Sequence, residues 1–177
     1  INTAGGGTSV SEWEYQTGLN HSLLSVSRVP FFTDCKKNYT FSADPLYNDY
    51  YKLYMHPYKS SGWNRTNVYQ AFRFDEMVFS EPGDKTYGAE DRVRGIVSDK
   101  AFLNTIKKRL EKSDEPLFSM NVTMQNHGGY GDNVGGEDRL KEKTVTVSSD
   151  IKDKELTENF LTLEKLSTEA ILEFTQY

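Results

Sequence analysis

The longest amphipathic pattern lies at the end of the chain. Across residues 153–177, apolar side chains return every three or four positions, which predicts one long helix with a single buried face. A second helix is predicted over residues 98–111, beginning at the capping residue Ser98, and a shorter one over residues 66–72. The apolar face of the last helix comprises Leu156, Phe160, Leu163, Leu166, Ala170, Ile171 and Phe174.

Two short apolar runs predict buried strands. Residues 50–55 are rich in β-favouring aromatic side chains, and His56 and Pro57 follow them. Residues 117–124 form the second run, which leads towards His127. Residues 143–149 alternate with a period of two, which predicts a half-exposed strand.

Alternation of strands with helices predicts one α/β domain with a mostly parallel sheet. Ligands of such sheets gather at the carboxyl ends of the strands. His56 and His127 follow the two predicted core strands, and Thr8 stands at a predicted helix start. This topology would allow the three residues to converge on one ligand.

Composition and charge argue against several classes of function. The net charge of −5 and the pI of about 5.3 disfavour a nucleic-acid-binding protein, which normally presents a basic surface. No apolar run reaches the roughly 18 residues that a membrane span needs. Cys35 is the single cysteine, so an internal disulfide and a cysteine metal cage are excluded. We expect it to be a structural thiol.

The first segment with candidate chemistry is the glycine run that ends at Thr8. Glycines allow a ligand to approach the backbone, and a helix start offers free amides to a phosphate. A threonine hydroxyl placed there could attack phosphorus once a divalent cation lowers its pKa. Ser9 and Glu12 fit a capping box for a helix that ends near Gly18. The alternative is that Thr8 or Ser9 only caps this helix.

Residues 56–65 form the second such segment. Arg65 offers a planar fork of donors that fits a phosphate, His56 can hydrogen-bond a hydroxyl or a phosphate, and Trp63 offers a flat apolar wall. The alternative is a surface loop with a solvated arginine.

The third segment is Asn126-His127-Gly128-Gly129, at the end of a predicted strand. His127 could protonate a leaving oxygen or bind a phosphate oxygen. The alternative is a structural histidine bonded to backbone, which is also our interpretation of His21.

Together these motifs resemble the lipoteichoic acid synthase and phosphoglycerol transferase family, within the alkaline phosphatase and sulfatase superfamily. The matching stretches are Gly-Gly-Gly-Thr-Ser-Val-Ser-Glu (5–12), His-Pro-Tyr-Lys-Ser-Ser-Gly-Trp-Asn-Arg (56–65) and Asn-Val-Thr-Met-Gln-Asn-His-Gly-Gly-Tyr (121–130), in the family's order. The resemblance implies alkaline-phosphatase-like α/β/α layers. It makes Thr8 the nucleophile and a ligand of Mn²⁺ or Mg²⁺. It places His56, Trp63, Arg65 and His127 around a glycerophosphate group, with His127 as a catalytic residue.

The resemblance also implies that residues 1–177 are part of one catalytic domain, truncated at both ends. The family's other metal ligands, a Glu before the nucleophile and an Asp-His pair after the last helix, would lie outside this chain. The expected partners are a phosphatidylglycerol-like lipid and a glycerol-phosphate acceptor, and no nucleic acid. The expected location is the extracellular face of a bacterial membrane, with the anchor outside this chain, and we expect the chain alone to be inactive.

Two departures limit the resemblance. Some members have Lys before the nucleophile, where this chain has Gly7, and the sulfatase signature Cys/Ser-x-Pro-x-Arg is absent around Cys35. The second departure disfavours a formylglycine sulfatase. Two alternatives remain open, namely a phosphodiesterase or phosphatase on the same fold and a non-catalytic binding module.

Overall fold

The computed structural model describes residues 7–23, 29–34, 39–131 and 140–177. The expectation for Cys35 therefore lies outside the described residues. The chain divides into two compact units. The first unit comprises Ile1–Glu81 and Ser113–Asn121, and the second comprises Pro82–Lys112 and Val122–Tyr177.

The first unit is built on a three-stranded parallel sheet, as the alternating pattern predicts. Strand β1 (Tyr51–His56) lies in the centre, between β2 (Glu76–Phe79) and the later strand β5 (Leu117–Asn121). His56 pairs with Phe79 at the carboxyl end of β1. Nearly all of β1 is buried, which explains its continuous apolar run.

Three helices accompany the sheet in this unit. Helix α1 spans Thr8–Thr17 and ends at Gly18, whose φ of 68° gives the left-handed cap that the sequence predicts. Helix α2 spans Pro30–Thr33, and α3 spans Arg65–Ala71, close to the predicted 66–72. Short 3₁₀ turns cover His21–Leu23, Phe41–Ala43, Pro45–Tyr47 and Gly62–Asn64.

Aromatic side chains fill the core of the first unit. The rings of Tyr54 and Tyr69 are stacked, with centroids 3.5 Å apart. Phe31 packs edge-on against Tyr69 and against Phe72, at 6.2 and 6.3 Å. Trp13 of α1 is fully buried. The high aromatic content therefore compensates for a modest share of aliphatic residues.

The second unit combines a small hairpin with two helices. Strands β3 (Arg92–Val93) and β4 (Ile96–Val97) are antiparallel, and helices α4 (Asp99–Lys112) and α5 (Lys154–Thr175) pack against each other. The observed ranges of both helices agree with the predicted ranges to within two residues. The Ser98 hydroxyl accepts a hydrogen bond from the Ala101 amide at 3.2 Å, which confirms it as the cap of α4. Among the described residues, no helix combines the length and the apolar character needed to cross a membrane.

The strand predicted over residues 143–149 is wrong. These residues form no ladder with another strand. Their amides turn instead to side chains of α5: Thr144 and Val145 donate to the Thr162 hydroxyl at 3.2 and 3.3 Å, and Val147 donates to Glu158 at 3.2 Å. The segment is thus an extended strap along a helix. A period of two reports an extended backbone and does not identify its hydrogen-bond partners.

Candidate active site

Thr8 is the first residue of α1, and its side chain is exposed. Gly7 precedes it with φ of 90°, a conformation that favours glycine, and makes no side-chain cap for the helix. The Gly7 carbonyl accepts hydrogen bonds from the Ser11 amide and hydroxyl at 3.1 and 3.2 Å. Among the described residues, the first amides of α1 therefore have no capping side-chain oxygen, which is the arrangement that suits a phosphate.

The predicted capping box at Ser9 and Glu12 is wrong. Ser9 lies inside the helix and is buried, because α1 begins at Thr8 with Gly7 as its N-cap, two residues before the predicted start. The Glu12 carboxylate points into the core of the first unit and binds side chains far away in the sequence. A capping box needs this carboxylate at the helix start, so the two arrangements exclude each other.

Glu12 accepts hydrogen bonds from three residues. The guanidinium of Arg65 donates through Nη2 to Oε1 at 2.6 Å and through Nε to Oε2 at 3.3 Å. The hydroxyls of Tyr69 and Tyr54 donate to Oε2 at 2.6 and 3.3 Å. A buried carboxylate with this many donors is well compensated for the loss of water. The cluster joins α1, β1 and α3.

The pKa values of the cluster keep its donors protonated. Burial raises the pKa of both Tyr54 and Tyr69 well above the usual range, and the charge of Glu12 raises them further. Burial is the largest single influence on the pKa of Arg65 and lowers it, but the hydrogen bond to Glu12 and the charges of Glu12 and the two tyrosines together outweigh burial, so the pKa is raised. Arg65 therefore carries its positive charge at every pH at which the protein is folded.

Arg65 is not the solvated loop arginine of the alternative interpretation, because only 3% of it is exposed. Its third contact is the Gly62 carbonyl, 3.5 Å from Nη1. A guanidinium has five N–H groups, so one on each Nη remains for a further acceptor such as a phosphate oxygen. The predicted phosphate contact stays a prediction. Glu12 orients the Arg65 side chain, and no local sequence pattern indicates this role.

His56 and Trp63 flank the loop that leads to Arg65. His56 ends β1 and is 1% exposed. Trp63 is 46% exposed, and both Trp63 and Asn64 have a left-handed backbone, with φ of 56° and 59°. The Asn64 side chain donates to the Phe31 carbonyl at 3.0 Å, which holds this turn. Two successive non-glycine residues in this conformation cost energy, and such strain is concentrated at functional sites.

The first unit brings part of the predicted site together. Thr8 and Glu12 are four residues apart on α1, so their Cβ atoms lie about 5–6 Å apart on one face. Glu12 binds Arg65, and Trp63 lies two residues before Arg65. The helix that begins at Thr8 and the arginine fork are therefore linked through the Glu12 carboxylate, and the exposed Trp63 lies in the turn that leads to Arg65.

His127 belongs to the second unit. Its side chain is exposed, its amide donates to the Met124 carbonyl at 2.9 Å, and its carbonyl accepts from Arg94 at 2.7 Å. The described contacts give its imidazole no backbone partner, so the alternative of a backbone-bonded ring finds no support there. Arg94 is a residue that sequence reasoning missed.

The described ranges contain no group of three or more His, Cys, Asp or Glu side chains that could hold a metal ion. The exposed Thr8 hydroxyl is an oxygen ligand of the kind that Mg²⁺ and Mn²⁺ accept. The part of the chain that the structure describes thus holds no complete metal site, and Thr8 as a ligand stays a prediction.

The fold and the arrangement of the site place this chain in a known class. Residues 2–174 match the model of the sulfatase family, and the chain belongs to that family. It is 30% identical over 149 residues to a Rhizobium meliloti protein named for the modification of cyclic beta-1,2-glucan, covering 83% of this chain and 22% of that protein. It is 25% identical over 173 residues to the lipoteichoic acid synthase-like protein YvgJ of Bacillus subtilis, covering 97% and 26%.

Two solved structures share the fold. The lipoteichoic acid synthase LtaP of Listeria monocytogenes gives a TM-score of 0.75 at 20% identity, over 98% of this chain and 40% of that one. The phosphoglycerol transferase GacH of Streptococcus pyogenes, in complex with sn-glycerol-1-phosphate, gives 0.71 at 24% identity, over 99% and 45%. These findings confirm the resemblance and the alkaline-phosphatase-like α/β class. The chain spans about a quarter of the length of the relatives matched by sequence.

Proposed function

We propose that the protein containing this chain transfers a glycerophosphate group from a phosphatidylglycerol-like lipid to an acceptor hydroxyl in cell-envelope polymer synthesis. The observation that carries the proposal is the exposed Thr8 hydroxyl at an uncapped helix start, one turn before the carboxylate that orients Arg65. This arrangement joins a nucleophile, free amides and a fixed positive charge, which are the parts that phosphoryl transfer needs.

Relatives support the choice of substrate. YvgJ is named as lipoteichoic acid synthase-like, and GacH is a phosphoglycerol transferase seen with sn-glycerol-1-phosphate. We therefore propose a glycerophosphate as the transferred group and a glycerol-phosphate chain as the acceptor. By the same resemblance, the reaction takes place at the extracellular face of a bacterial membrane.

The proposed reaction has two displacements at phosphorus. The Thr8 hydroxyl loses its proton and its oxygen forms a bond to phosphorus, while the bond from phosphorus to the diacylglycerol oxygen breaks and that oxygen takes up a proton. An acceptor hydroxyl then loses its proton and attacks the glycerophosphoryl-Thr8 ester. The bond from phosphorus to the Thr8 oxygen breaks, and that oxygen takes up a proton again. Arg65 offsets charge on the phosphoryl oxygens, and His56 and Trp63 hold the glycerol. The resemblance gives His127 the same charge-offsetting role and a part in the proton transfers.

The resemblance also implies a Mn²⁺ or Mg²⁺ ion with Thr8 as one ligand, and the remaining ligands would come from outside this chain. A bound cation of this kind lowers the pKa of a coordinated hydroxyl. The described residues supply a single oxygen for it, so the steps above are assigned to the side chains of this chain alone.

The test uses the complete protein and labelled phosphatidylglycerol. Thr8→Ala should abolish transfer while the melting temperature stays near that of the wild type, because Thr8 is exposed. Ser11→Ala is the matched control, since it removes a hydroxyl from the same helix turn and should keep activity. Mass spectrometry of the peptide carrying Thr8 should detect the covalent intermediate. Wild-type turnover by Thr8→Ala would refute the assignment.

The same assay separates transfer from hydrolysis. A transferase forms labelled polymer, whereas a phosphodiesterase on this fold releases free glycerophosphate. The chemistry at Thr8 is shared, so only the product identifies the acceptor. Free glycerophosphate as the sole product would replace the acceptor hydroxyl by water in the proposal.

A further inference from the structure

Arg94 is a buried arginine at the tip of the β3–β4 hairpin. It is 7% exposed, and its guanidinium donates to three backbone carbonyls of one loop. Nη1 donates to Gly129 at 2.9 Å, and Nη2 donates to His127 at 2.7 Å and to Gln125 at 3.3 Å. Arg94 and this loop both belong to the second unit.

We propose that Arg94 is a positioning residue that fixes the loop of residues 125–130, and through it the His127 imidazole, for phosphoryl transfer. The catalytic part of this inference rests on the proposed function. The structural part, that Arg94 holds the loop, stands on the contacts alone.

Other contacts hold the loop at its start and at its end. At the start, the Gln125 side chain accepts from the Asp99 amide at 3.0 Å and donates to Ser167 at 2.9 Å. The Asn126 side chain donates to Glu164 at 2.8 Å and accepts from Ser167 at 3.1 Å. At the end, the Tyr130 hydroxyl donates to the Asn126 carbonyl at 2.6 Å, and its ring lies 5.6 Å from the Arg94 guanidinium carbon.

His127 lies between these contacts with an exposed ring. Its amide donates to the Met124 carbonyl at 2.9 Å, and Arg94 binds its carbonyl and that of Gly129. Among the described residues, Arg94 is the one side chain that binds these two carbonyls, so the path of the backbone on the carboxyl side of His127 depends on it.

The backbone conformation of the hairpin turn does not favour an arginine, so the role of Arg94 lies in the contacts of its side chain. Arg94 and Gly95 form the two-residue turn with φ of 54° and 73°, where Asn-Gly or Gly-Gly would be favoured. An arginine there costs backbone energy and also buries a charge, and its Nε has no partner among the described residues. A hairpin alone requires neither feature. Three charge-assisted hydrogen bonds to one loop account for both.

The first arm of the test measures amide hydrogen exchange in the complete protein. Arg94→Met removes all three hydrogen bonds, and we expect exchange in residues 125–130 to become roughly tenfold or more faster. Arg92→Met is the matched control, because Arg92 lies in the same hairpin, is half-exposed, and its guanidinium donates to the Gly95 carbonyl at 3.1 Å rather than to the loop of residues 125–130. It should leave exchange in the loop unchanged.

The second arm measures transfer activity in a double-mutant cycle. If Arg94 acts through His127, Arg94→Met lowers kcat in the wild-type background but adds little further loss in His127→Ala. A purely structural role would instead add its loss to that of His127→Ala. Should Arg94→Met fail to fold, Arg94→Lys serves in both arms, because a lysine keeps the charge but lacks the planar fork that spans several carbonyls.

The outcomes separate the two proposals. Unchanged loop exchange in the Arg94 variant overturns this inference whatever the activity. Faster exchange with fully additive losses overturns the link through His127. If His127→Ala keeps wild-type activity, the role proposed for His127 fails, and the exchange arm alone decides whether Arg94 holds the loop.

Discussion

Glu12 shows how one buried residue can orient another residue of the candidate site. Its carboxylate holds the Arg65 fork and two tyrosine hydroxyls at 2.6–3.3 Å, and it is nearly inaccessible to water. Charges buried in this way are maintained only while each has its partner. Glu12 is therefore both an anchor of the fold and a positioning residue for Arg65.

Glu12→Ala should destabilise the protein by about 3–5 kcal/mol, because it leaves the Arg65 charge buried without a partner. Denaturation in urea, followed by tryptophan fluorescence from the buried Trp13, measures this loss. Glu173→Ala is the control, since its ion pair with Lys100 at 2.9 Å is exposed and should contribute less than about 1 kcal/mol. Equal losses for the two variants would contradict the role of Glu12.

The buried carboxyl of Asp99 leads to a second prediction, which concerns how stability depends on pH. It is buried at the start of α4, where burial raises the pKa of its carboxyl above the ordinary 3.8 despite a hydrogen bond from Ser167 at 2.6 Å. The folded state therefore binds a proton more readily than the unfolded state does. As pH rises from below 3.8 through the raised folded pKa, this group costs stability, and the loss persists at higher pH.

Asp99→Asn should remove that dependence. The unfolding free energy of the wild type, relative to the variant, should fall as pH rises through the acid range and then stay constant once Asp99 is ionised. Urea denaturation of both proteins at several pH values between about 3 and 7 measures the difference. A difference that is the same at every pH would show that the pKa of Asp99 is unchanged by folding.

Among the elements, the turn before α3 combines a strained backbone with the ligand contact proposed for Trp63. Trp63 and Asn64 both have φ near 60°. Trp63→Gly should be more stable than Trp63→Ala by roughly 1 kcal/mol, because glycine adopts this conformation without steric cost. Chemical denaturation of the two variants measures the backbone strain separately from the loss of the indole, which both lack.

The same two variants test the ligand contact proposed for Trp63. Both should raise KM for the lipid donor to a similar extent, because both remove the flat wall expected to hold the glycerol. Phe32→Ala is the control, as Phe32 is an exposed aromatic residue of α2 in the same unit. A KM near that of the wild type in both Trp63 variants would remove Trp63 from the site.

The elements also show what sequence patterns can predict. Helices α4 and α5 follow from their 3.6-residue periodicity and β1 from its apolar run, since these signals are local. Strand β2 has four residues, too short for a clear pattern, and the strap over residues 143–149 has the period of a strand but binds to a helix. A hydrogen-bond partner is chosen by tertiary packing, which no local pattern encodes.

The same limit applies to the candidate site. The candidate residues could be proposed because each lies in a recognisable local motif: Thr8, His56, Trp63, Arg65 and His127. Glu12 and Arg65 are separated by 53 residues, and Arg94 lies 31–35 residues before the carbonyls it binds. One sequence alone gives no sign of such pairs, so the residues that orient the site became apparent only in three dimensions.

At the scale of the whole molecule, the chain matches one part of the longer proteins of its family. It spans 22% and 26% of the two relatives matched by sequence, and its described residues contain no group of three or more His, Cys, Asp or Glu side chains that could hold a metal ion. A Mn²⁺ or Mg²⁺ ion would therefore depend mainly on ligands outside residues 1–177. Its loss should affect chemistry more than the fold of this chain.

Chelation of the complete protein with EDTA should abolish transfer, and added Mn²⁺ or Mg²⁺ should restore it, because the Thr8 hydroxyl is a poor nucleophile at its ordinary pKa. Titration calorimetry with Mn²⁺ tests the ligand directly: Thr8→Ala should bind more weakly than the wild type, whereas Thr8→Ser keeps the oxygen and Ser11→Ala leaves it untouched. Unaltered Mn²⁺ affinity in Thr8→Ala would mean that Thr8 is no ligand. Full activity in EDTA would require another group to activate the threonine.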